Sequence, residues 1–318
     1  MKHILFIVNP ISGIGKQKKI EQVVDANLDH SLFEYEVVYT EYIHHGKELA
    51  LQARQGDYDA IVAVGGDGSV NDVVSGLLNQ QYSGDDTDKD CKLSNVNSPT
   101  LGIIPCGSGN GLARNLKIPL NPAHAIRILN RYNEATIDTI NLATRQGSES
   151  AAMQSRIIAS IAGIGFDARV ARLMKQAKVR GLQAYARIIA NEYFSYKEHT
   201  YRISIDGEEM ERKAWFISIA NSNQFGFNTA IAPLAKLDDG LIDVCIVDKI
   251  PLHHLALSAP LLYLNHFELS QHVEYFKARR VSIYNNEEGW VNIDGEGEEL
   301  GKELHFTNIP KSLKILIP

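Results

Sequence analysis

The sequence predicts an α/β chain in two parts, a doubly wound N-terminal domain followed by a β-rich domain of antiparallel sheet. Three observations predict it. Over the first ~140 residues, apolar β-type runs alternate with stretches of helical periodicity. Three of the predicted strands end on Gly-rich turns, after Val8, Val64 and Ile104. After about Ile137 the texture changes to short strand-like runs joined by turns.

Taken in order, "HILFIV" is the first strand, and "GKQKKIEQVVDANL" has helical spacing at Ile20, Val23, Val24 and Leu28. "EYEVVYT" alternates as a strand, "GKELALQAR" is helical, "AIVAV" is a buried strand and "VNDVVSGLLN" is helical. "TLGIIP" is the next strand, and "GSGNGLARNL" opens a helix. A doubly wound sheet binds its ligands beyond the C-terminal strand ends, where the three Gly-rich turns fall. The polar stretch "QQYSGDDTDKDCKLSNVNSP" reads as a solvated loop. Its Asp86, Asp88 and Asp90 are spaced as in a calcium loop, but Cys91 stands at the turn glycine and Asn97 at the closing glutamate.

In the second half, strand-like runs from "ATIDTINLATR" to "SLKILIP" are interrupted by two helical stretches, "RGLQAYARIIANEYFSY" and "PLHHLALSAPLLYLNHF". In the first of these, Leu182, Tyr185, Ala186, Ile189, Tyr193 and Tyr196 form one face. That face is expected to pack on a sheet, with an acyl-chain cleft or a membrane surface as its functional alternative.

Composition narrows the function classes. Hydrophobic residues make up 44% and charged residues 22%, as in an ordinary folded protein. A net charge of −6 argues against a nucleic-acid protein held by a general basic field. No apolar run approaches the roughly 20 residues of a membrane span, and the start "MKHILFIVNP" reads as a strand, not a leader. Cys91, Cys106 and Cys245 are widely spaced and fit reduced thiols in a cytoplasm. There is no HExxH, and the neighbours His44–His45 and His253–His254 are expected to point apart.

The three turns carry the chemistry. In "NPISGIGK" (Asn9–Lys16), a Gly-rich turn entering a helix aims backbone N–H groups at an anion, and Lys16 can neutralise phosphate oxygens. It is not a Walker A loop, because Pro10 and Gln17 break the pattern. In "GGDGSVND", Asn71 stands where a dinucleotide fingerprint needs its third glycine. Gly163-x-Gly165-x-x-Ala168 matches that fingerprint but lies in the β-rich half, and reads as a decoy. Asp67 is more telling than the glycines. A carboxylate beside phosphates repels them unless Mg²⁺ lies between, or unless it accepts a proton from a hydroxyl. Both are phosphoryl-transfer roles. "PCGSGNGLAR" (Pro105–Arg114) is the third turn, with Ser108, Asn110 and Arg114 as polar handles. Three such loops at neighbouring strand ends make a cradle for a triphosphate.

The segments "NPISGIGK", "GGDGSVND", "PCGSGNGLAR", "GIGFDARV", "PLAKLDDGLID" and "VNIDGEGEEL", in this order from Asn9 to Leu300, resemble the diacylglycerol kinase and sphingosine kinase superfamily of lipid kinases. The resemblance implies an α/β nucleotide-binding domain over 1–137, a β-sandwich lipid-binding domain over 138–310, and an active site in the cleft between them. The strand 311–318 is a candidate to rejoin the first domain. It implies ATP and Mg²⁺, with Asn9, Pro10, Ser12 and Gly13 lining the ATP site and Thr40 at the end of the second strand. Gly66, Asp67, Gly68, Ser69, Asn71 and Asp72 would hold the phosphates together with Gly107, Ser108 and Asn110. A structural Mg²⁺ would take Asp239 and the carbonyls of Lys236 and Leu241, a hard-oxygen set suited to that ion. Glu296 matches the general base of the bacterial members, and Asp67 matches the base of sphingosine kinases; the reading favours Glu296 as base and Asp67 as a ligand of Mg²⁺–ATP, with Asp67 as the alternative base.

The pattern also departs from the family. Gly111 replaces the Asp of the bacterial third loop, Ser108 replaces a Thr, and "QFGFN" replaces a Gly-rich run. The acceptor is therefore diacylglycerol or a sphingoid or ceramide-type lipid. The chain is expected to be cytoplasmic, to visit the bilayer surface for its substrate, and to have no nucleic-acid partner; homodimerisation is left open. Lys175, Lys178, Arg180 and Arg187 would favour anionic lipid. The rival functions are a soluble-metabolite kinase of the NAD kinase type and a catalytically inert lipid- or nucleotide-binding regulator.

Overall fold

The computed structural model describes residues 1–13, 19–78, 98–145, 153–177, 182–226, 228–284 and 288–318. The chain divides into two compact units. The first runs to Ile137 and takes back Lys311–Pro318, and the second contains Asp138–Pro310.

In the first unit, strands β1 (Lys2–Val8), β2 (Phe33–Tyr39), β3 (Ala60–Gly65) and β4 (Thr100–Pro105) pair in parallel, in the order β2-β1-β3-β4. Helices α1 (Ile20–Asn27), α2 (His45–Ala53), α3 (Asp67–Leu77), α4 (Gly111–Asn115) and α5 (Pro122–Leu129) alternate with them or follow. β3 and β4 are buried along their whole length, which is why they read as unbroken apolar runs. Gly76 lets α3 approach α2, because a methyl there would overlap the Lys47 carbonyl. Pro122 opens α5, and the Asn121 side chain caps it by accepting from the amides of Ala123 and His124. The chain end joins the far edge of this sheet, with Ile315 beside Leu101 in parallel register. From β1 the chain moves out to β2 and then back past β1 to β3. The order therefore reverses between β1 and β3, which opens a crevice beyond their C-terminal ends.

β5 (Glu134–Thr144) leads into the second unit, followed by β6 (Gln154–Ile158), β7 (Ile161–Gly165), β8 (His199–Ile205), β9 (Glu208–Ala214) and β10 (Phe216–Ala220). Then come β11 (Gln224–Gly226), β12 (Thr229–Ala230), β13 (Ile242–Val247), β14 (Val273–Ala278), β15 (Arg280–Tyr284), β16 (Trp290–Ile293), β17 (Glu296–Glu299) and β18 (Glu303–Leu316). A six-stranded antiparallel sheet, β14-β13-β10-β7-β16-β17, contributes Ile164, Ile217 and Val244 to a core shared with Leu142, Ile203, Ile283 and Phe306 of strands β5, β8, β15 and β18. Its other face is covered by α6 (Phe166–Gln176), α7 (Leu182–Ser195) and α8 (Leu252–Tyr263). There Phe166 stacks on Trp215 at 3.9 Å between centroids.

Four residues of the α7 face predicted from sequence do pack on this sheet. Tyr193 and Tyr196 are buried, and Tyr185 and Ile189 are partly so. Ala186 is a correction: it is exposed, and Ile188 packs in its stead. The Leu182 side chain, Lys178, Arg180 and the calcium-like loop lie outside the described residues. The fingerprint-like glycines sit where the antiparallel strand β7 enters α6, between β10 and β16 and not in a βαβ unit. The neighbours His253 and His254 do not point apart; their rings lie 4.2 Å from each other, and His254 also meets His272. No helix among the described residues is long and apolar enough to cross a membrane.

Candidate active site

The crevice of the first unit is built by backbone fitted to backbone. Gly13 has φ +57°, and a methyl on it would overlap the carbonyl oxygen of Cys106. A methyl on Gly107 would likewise overlap Gly66 Cα. The third turn is tied to the second by the amides of Cys106 and Gly107, which donate to the Gly65 carbonyl at 2.7 and 3.1 Å. The first turn is tied to the second by Asn9 Nδ2, which donates to Ser69 Oγ at 3.0 Å. All three turns therefore converge on one point, and α3 begins there with Gly66 as its N-cap. The first-turn amides of a helix have no acceptor within the helix, and its dipole adds partial positive charge. A helix start framed in this way has the shape of an anion cradle.

Several of the residues predicted as ligands also hydrogen-bond within or between the turns. Asn9 Oδ1 accepts from the Ile11 amide while its Nδ2 holds Ser69. Asn110 is in the left-handed conformation, and its side chain accepts from the Gly107 amide and donates to the Gly107 carbonyl. That clamp closes a four-residue turn and presents Ser108, which is exposed, at its tip. Ser12 is buried and Pro10 exposed. Asp67, Gly68 and Ser69 form the half-buried first turn of α3. Asn71 lies one turn further and accepts from Ser75 Oγ at 3.4 Å. Asp72 faces α2: its Oδ1 meets His44 Nδ1 at 2.9 Å, and it lies beside Gly46, as does Thr40. Lys16 lies outside the described residues.

In the second unit Glu296 opens β17, directly after the two-residue turn Asp294–Gly295, and is exposed. Both turn residues have positive φ, 47° and 92°, the geometry that matches the twist of a hairpin and favours Asp-Gly. Asp294 is 6% exposed. Its carboxylate accepts from the amides of Ala159, Ser160 and Ile161 at 2.9, 2.9 and 2.8 Å, anchoring the hairpin tip to the β6–β7 turn. Asp294→Ala should strand those donors and cost about 3 kcal/mol, seen as a lower urea midpoint.

Asp167 is a second buried carboxylate, in the first turn of α6. Burial pushes it up to about 6, while the hydrogen bond from Asn292 Nδ2 at 2.8 Å pulls it down. An acid whose folded pKa is raised stabilises the fold fully below its unfolded value, and this is lost as pH rises through the folded value. Asp167 therefore costs stability across the window from about pH 4 to about pH 6, on the order of 3 kcal/mol. Asp167→Asn should melt higher than wild type at pH 8, with the gap closing toward pH 4. Neither Asp167 nor Asp294 is singled out by sequence reasoning. The Asp-Gly pair of a tight hairpin was the readable signal for Asp294.

The Asp239 turn is already held by the protein. Its Oδ1 accepts from the Leu241 amide at 3.1 Å, and its Oδ2 meets Lys277 Nζ at 3.0 Å. Lys277 stands opposite Asp243 in the β13–β14 register and also reaches it, at 3.2 Å. Burial pulls the Lys277 ammonium down, but hydrogen bonds and charge from the two aspartates outweigh it and hold it above its ordinary value. The Leu241 carbonyl accepts from Asn308 Nδ2 at 3.3 Å. The Lys277 ammonium thus already stands at the Asp239 carboxylate, while the carbonyls of Lys236 and Leu241 are donors of the type a hard cation takes. Of the predicted basic patch, Arg187 is exposed and Lys175 reaches the Gly297 carbonyl at 3.5 Å.

The chain thus joins a parallel sheet with three converging Gly-rich turns to an antiparallel β-rich unit. Residues 3–142 match the family model of the diacylglycerol kinase catalytic domain. Residues 160–317 match that of the YegS C-terminal NAD kinase beta sandwich-like domain. The chain belongs to the diacylglycerol-kinase-like lipid kinases and is an enzyme of that class. It is 28% identical to a diacylglycerol kinase of Bacillus subtilis, across 100% of this chain and 97% of that one. To a diacylglycerol kinase of Staphylococcus saprophyticus it is 26% identical, over 100% and 96%. Among solved structures, a diacylglycerol kinase of Bacillus anthracis superposes with a TM-score of 0.68 at 19% identity, covering 100% of this chain and 97% of that one. Yeast NADH kinase shares the fold, with a TM-score of 0.50 at 12% identity over 99% and 82%.

Proposed function

We propose that this chain transfers the γ-phosphate of Mg–ATP to the hydroxyl of a membrane lipid, giving a lipid phosphate and ADP. The observation that carries the reading is the convergence of the three Gly-rich turns at the β1/β3 switch point, in a chain of the lipid kinase family. Phosphoryl transfer needs mainly positioning and charge stabilisation, and a cradle of backbone amides at a helix N-terminus supplies both to a triphosphate. Asp67, in the first turn of α3, is assigned to the Mg²⁺ that accompanies ATP. Glu296 is assigned to the lipid hydroxyl as the base that accepts its proton. Asp239, with the carbonyls of Lys236 and Leu241, would hold a structural Mg²⁺, which adds charge to that turn and takes no part in the transfer.

The acceptor is a diacylglycerol, a sphingoid base or a ceramide, collected at the bilayer surface by a peripherally associated enzyme. Purified protein incubated with Mg–ATP labelled at the γ-phosphate and mixed micelles of each lipid should yield one labelled lipid phosphate. Label appearing in NAD and in no lipid would replace this reading with a soluble-metabolite kinase. ATP binding with no transfer to any acceptor would favour an inert regulator.

A further inference from the structure

We propose that Asp167 is a positioning residue for Glu296, acting through Asn292; the assignment rests on the kinase reading for what Glu296 does. Asn292 is the last polar residue of β16 before the hairpin turn, and its side chain faces both ways. Its Nδ2 donates to Asp167 Oδ2 at 2.8 Å, and its Oδ1 accepts from the Gly295 amide at 3.0 Å. Gly295 immediately precedes Glu296 and holds φ +92°, so its amide direction sets where the next residue leaves the turn. The chain of contacts thus runs from a buried carboxylate, through one amide, to the peptide that carries Glu296.

The surroundings are built to allow this reach. Gly163 is directly opposite Asn292 in the β7–β16 register, and a methyl on Gly163 would overlap Asp167 Oδ2. The absence of a side chain there is what lets a carboxylate from α6 cross to Asn292. α6 also braces the hairpin further along, where a methyl on Gly297 would stand 2.9 Å from the Arg172 amide nitrogen. Asp294 fixes the other side of the tip through its three amide donors. A hairpin pinned on one side by Asp294 and on the other by Asp167–Asn292 holds Glu296 in one place. A buried carboxylate whose burial works against ionisation is a costly way to fill space, and packing alone would be served better by an apolar side chain.

Exchange of the partners separates positioning from other roles. Asn292→Asp places two carboxylates together and should break the link. Asp167→Asn combined with Asn292→Asp restores it, since the amide at 167 donates to one oxygen at 292 while the other still accepts from Gly295. Amide hydrogen exchange across 290–299 and steady-state kinetics are read on each full-length variant. We expect Asn292→Asp to speed exchange at Gly295 at least tenfold and lower kcat tenfold or more with KM for ATP unchanged, and the exchanged pair to recover both. Should Asn292→Asp not fold, Asp167→Ala against Asp167→Asn makes the same comparison, because an amide at 167 can still accept from Asn292. Unaltered Gly295 protection in Asp167→Ala, or an exchanged pair that recovers nothing, overturns the proposal. So does Asp167→Asn raising the acceptor KM with protection intact, which would make Asp167 a substrate contact. Wild-type protein that phosphorylates no lipid sinks the kinase reading, while the protection pattern still decides whether Asp167 positions the hairpin.

Discussion

Gly13→Ala should cost this protein its nucleotide affinity while Gly207→Ala leaves it unchanged. Both glycines have positive φ, so both substitutions carry the same modest backbone penalty of about 1 kcal/mol. They differ in what the new methyl meets. At Gly207, in the turn between β8 and β9, there is nothing within 4 Å. At Gly13 the methyl overlaps the Cys106 carbonyl, and Cys106 cannot retreat without losing its 2.7 Å bond to the Gly65 carbonyl. The first and third turns must therefore part. An anion cradle depends on amides aimed within fractions of an ångström, so ATP affinity should fall at least about 100-fold, or about 2.7 kcal/mol. Calorimetric titration of each variant with Mg–ATP checks it. Wild-type affinity in Gly13→Ala would mean that the nucleotide does not bind in the β1/β3 crevice.

The first unit was legible because its signals are local. Buried parallel strands read as unbroken apolar runs, and turns that must let backbone touch backbone read as glycines. Gly13, Gly66 and Gly107 are written into the sequence for the contacts they make. The roles of the polar residues between them were less legible. Asn9 and Asn110 read as ligands in the sequence because they sit in the right turns; that their amides also clamp those turns was not readable. Which atom an amide bonds depends on how separate turns meet, and that is not a local property. In the second unit, antiparallel runs gave the sheets but not their pairing. Asp167 and Asn292 are 125 residues apart and meet only because β7 and β16 become neighbours. Periodicity misplaces Ala186 for a similar reason: helical spacing defines a face, and the neighbouring sheet selects which edge of that face is covered.

Glu296→Gln should leave folding intact and lower kcat by about 10²–10⁴, the range for loss of a positioned general base. Glu296 is exposed at the start of β17, so the isosteric amide costs little stability, and the melting temperature should stay within about a degree or two. ATP affinity should be unchanged, because the cradle lies in the other unit. Asp67→Asn is expected to act differently. In the first turn of α3, removing a negative charge improves the site for phosphate but weakens its hold on Mg²⁺. The Mg²⁺ concentration needed for half-maximal turnover should rise about tenfold. Added Mg²⁺ should restore the turnover of Asp67→Asn and leave that of Glu296→Gln low. The reverse pattern, with turnover kept on changing Glu296 and lost at every Mg²⁺ concentration on changing Asp67, would assign the base to Asp67. The proton would then leave the lipid hydroxyl toward the cradle itself, as the resemblance to sphingosine kinases allows.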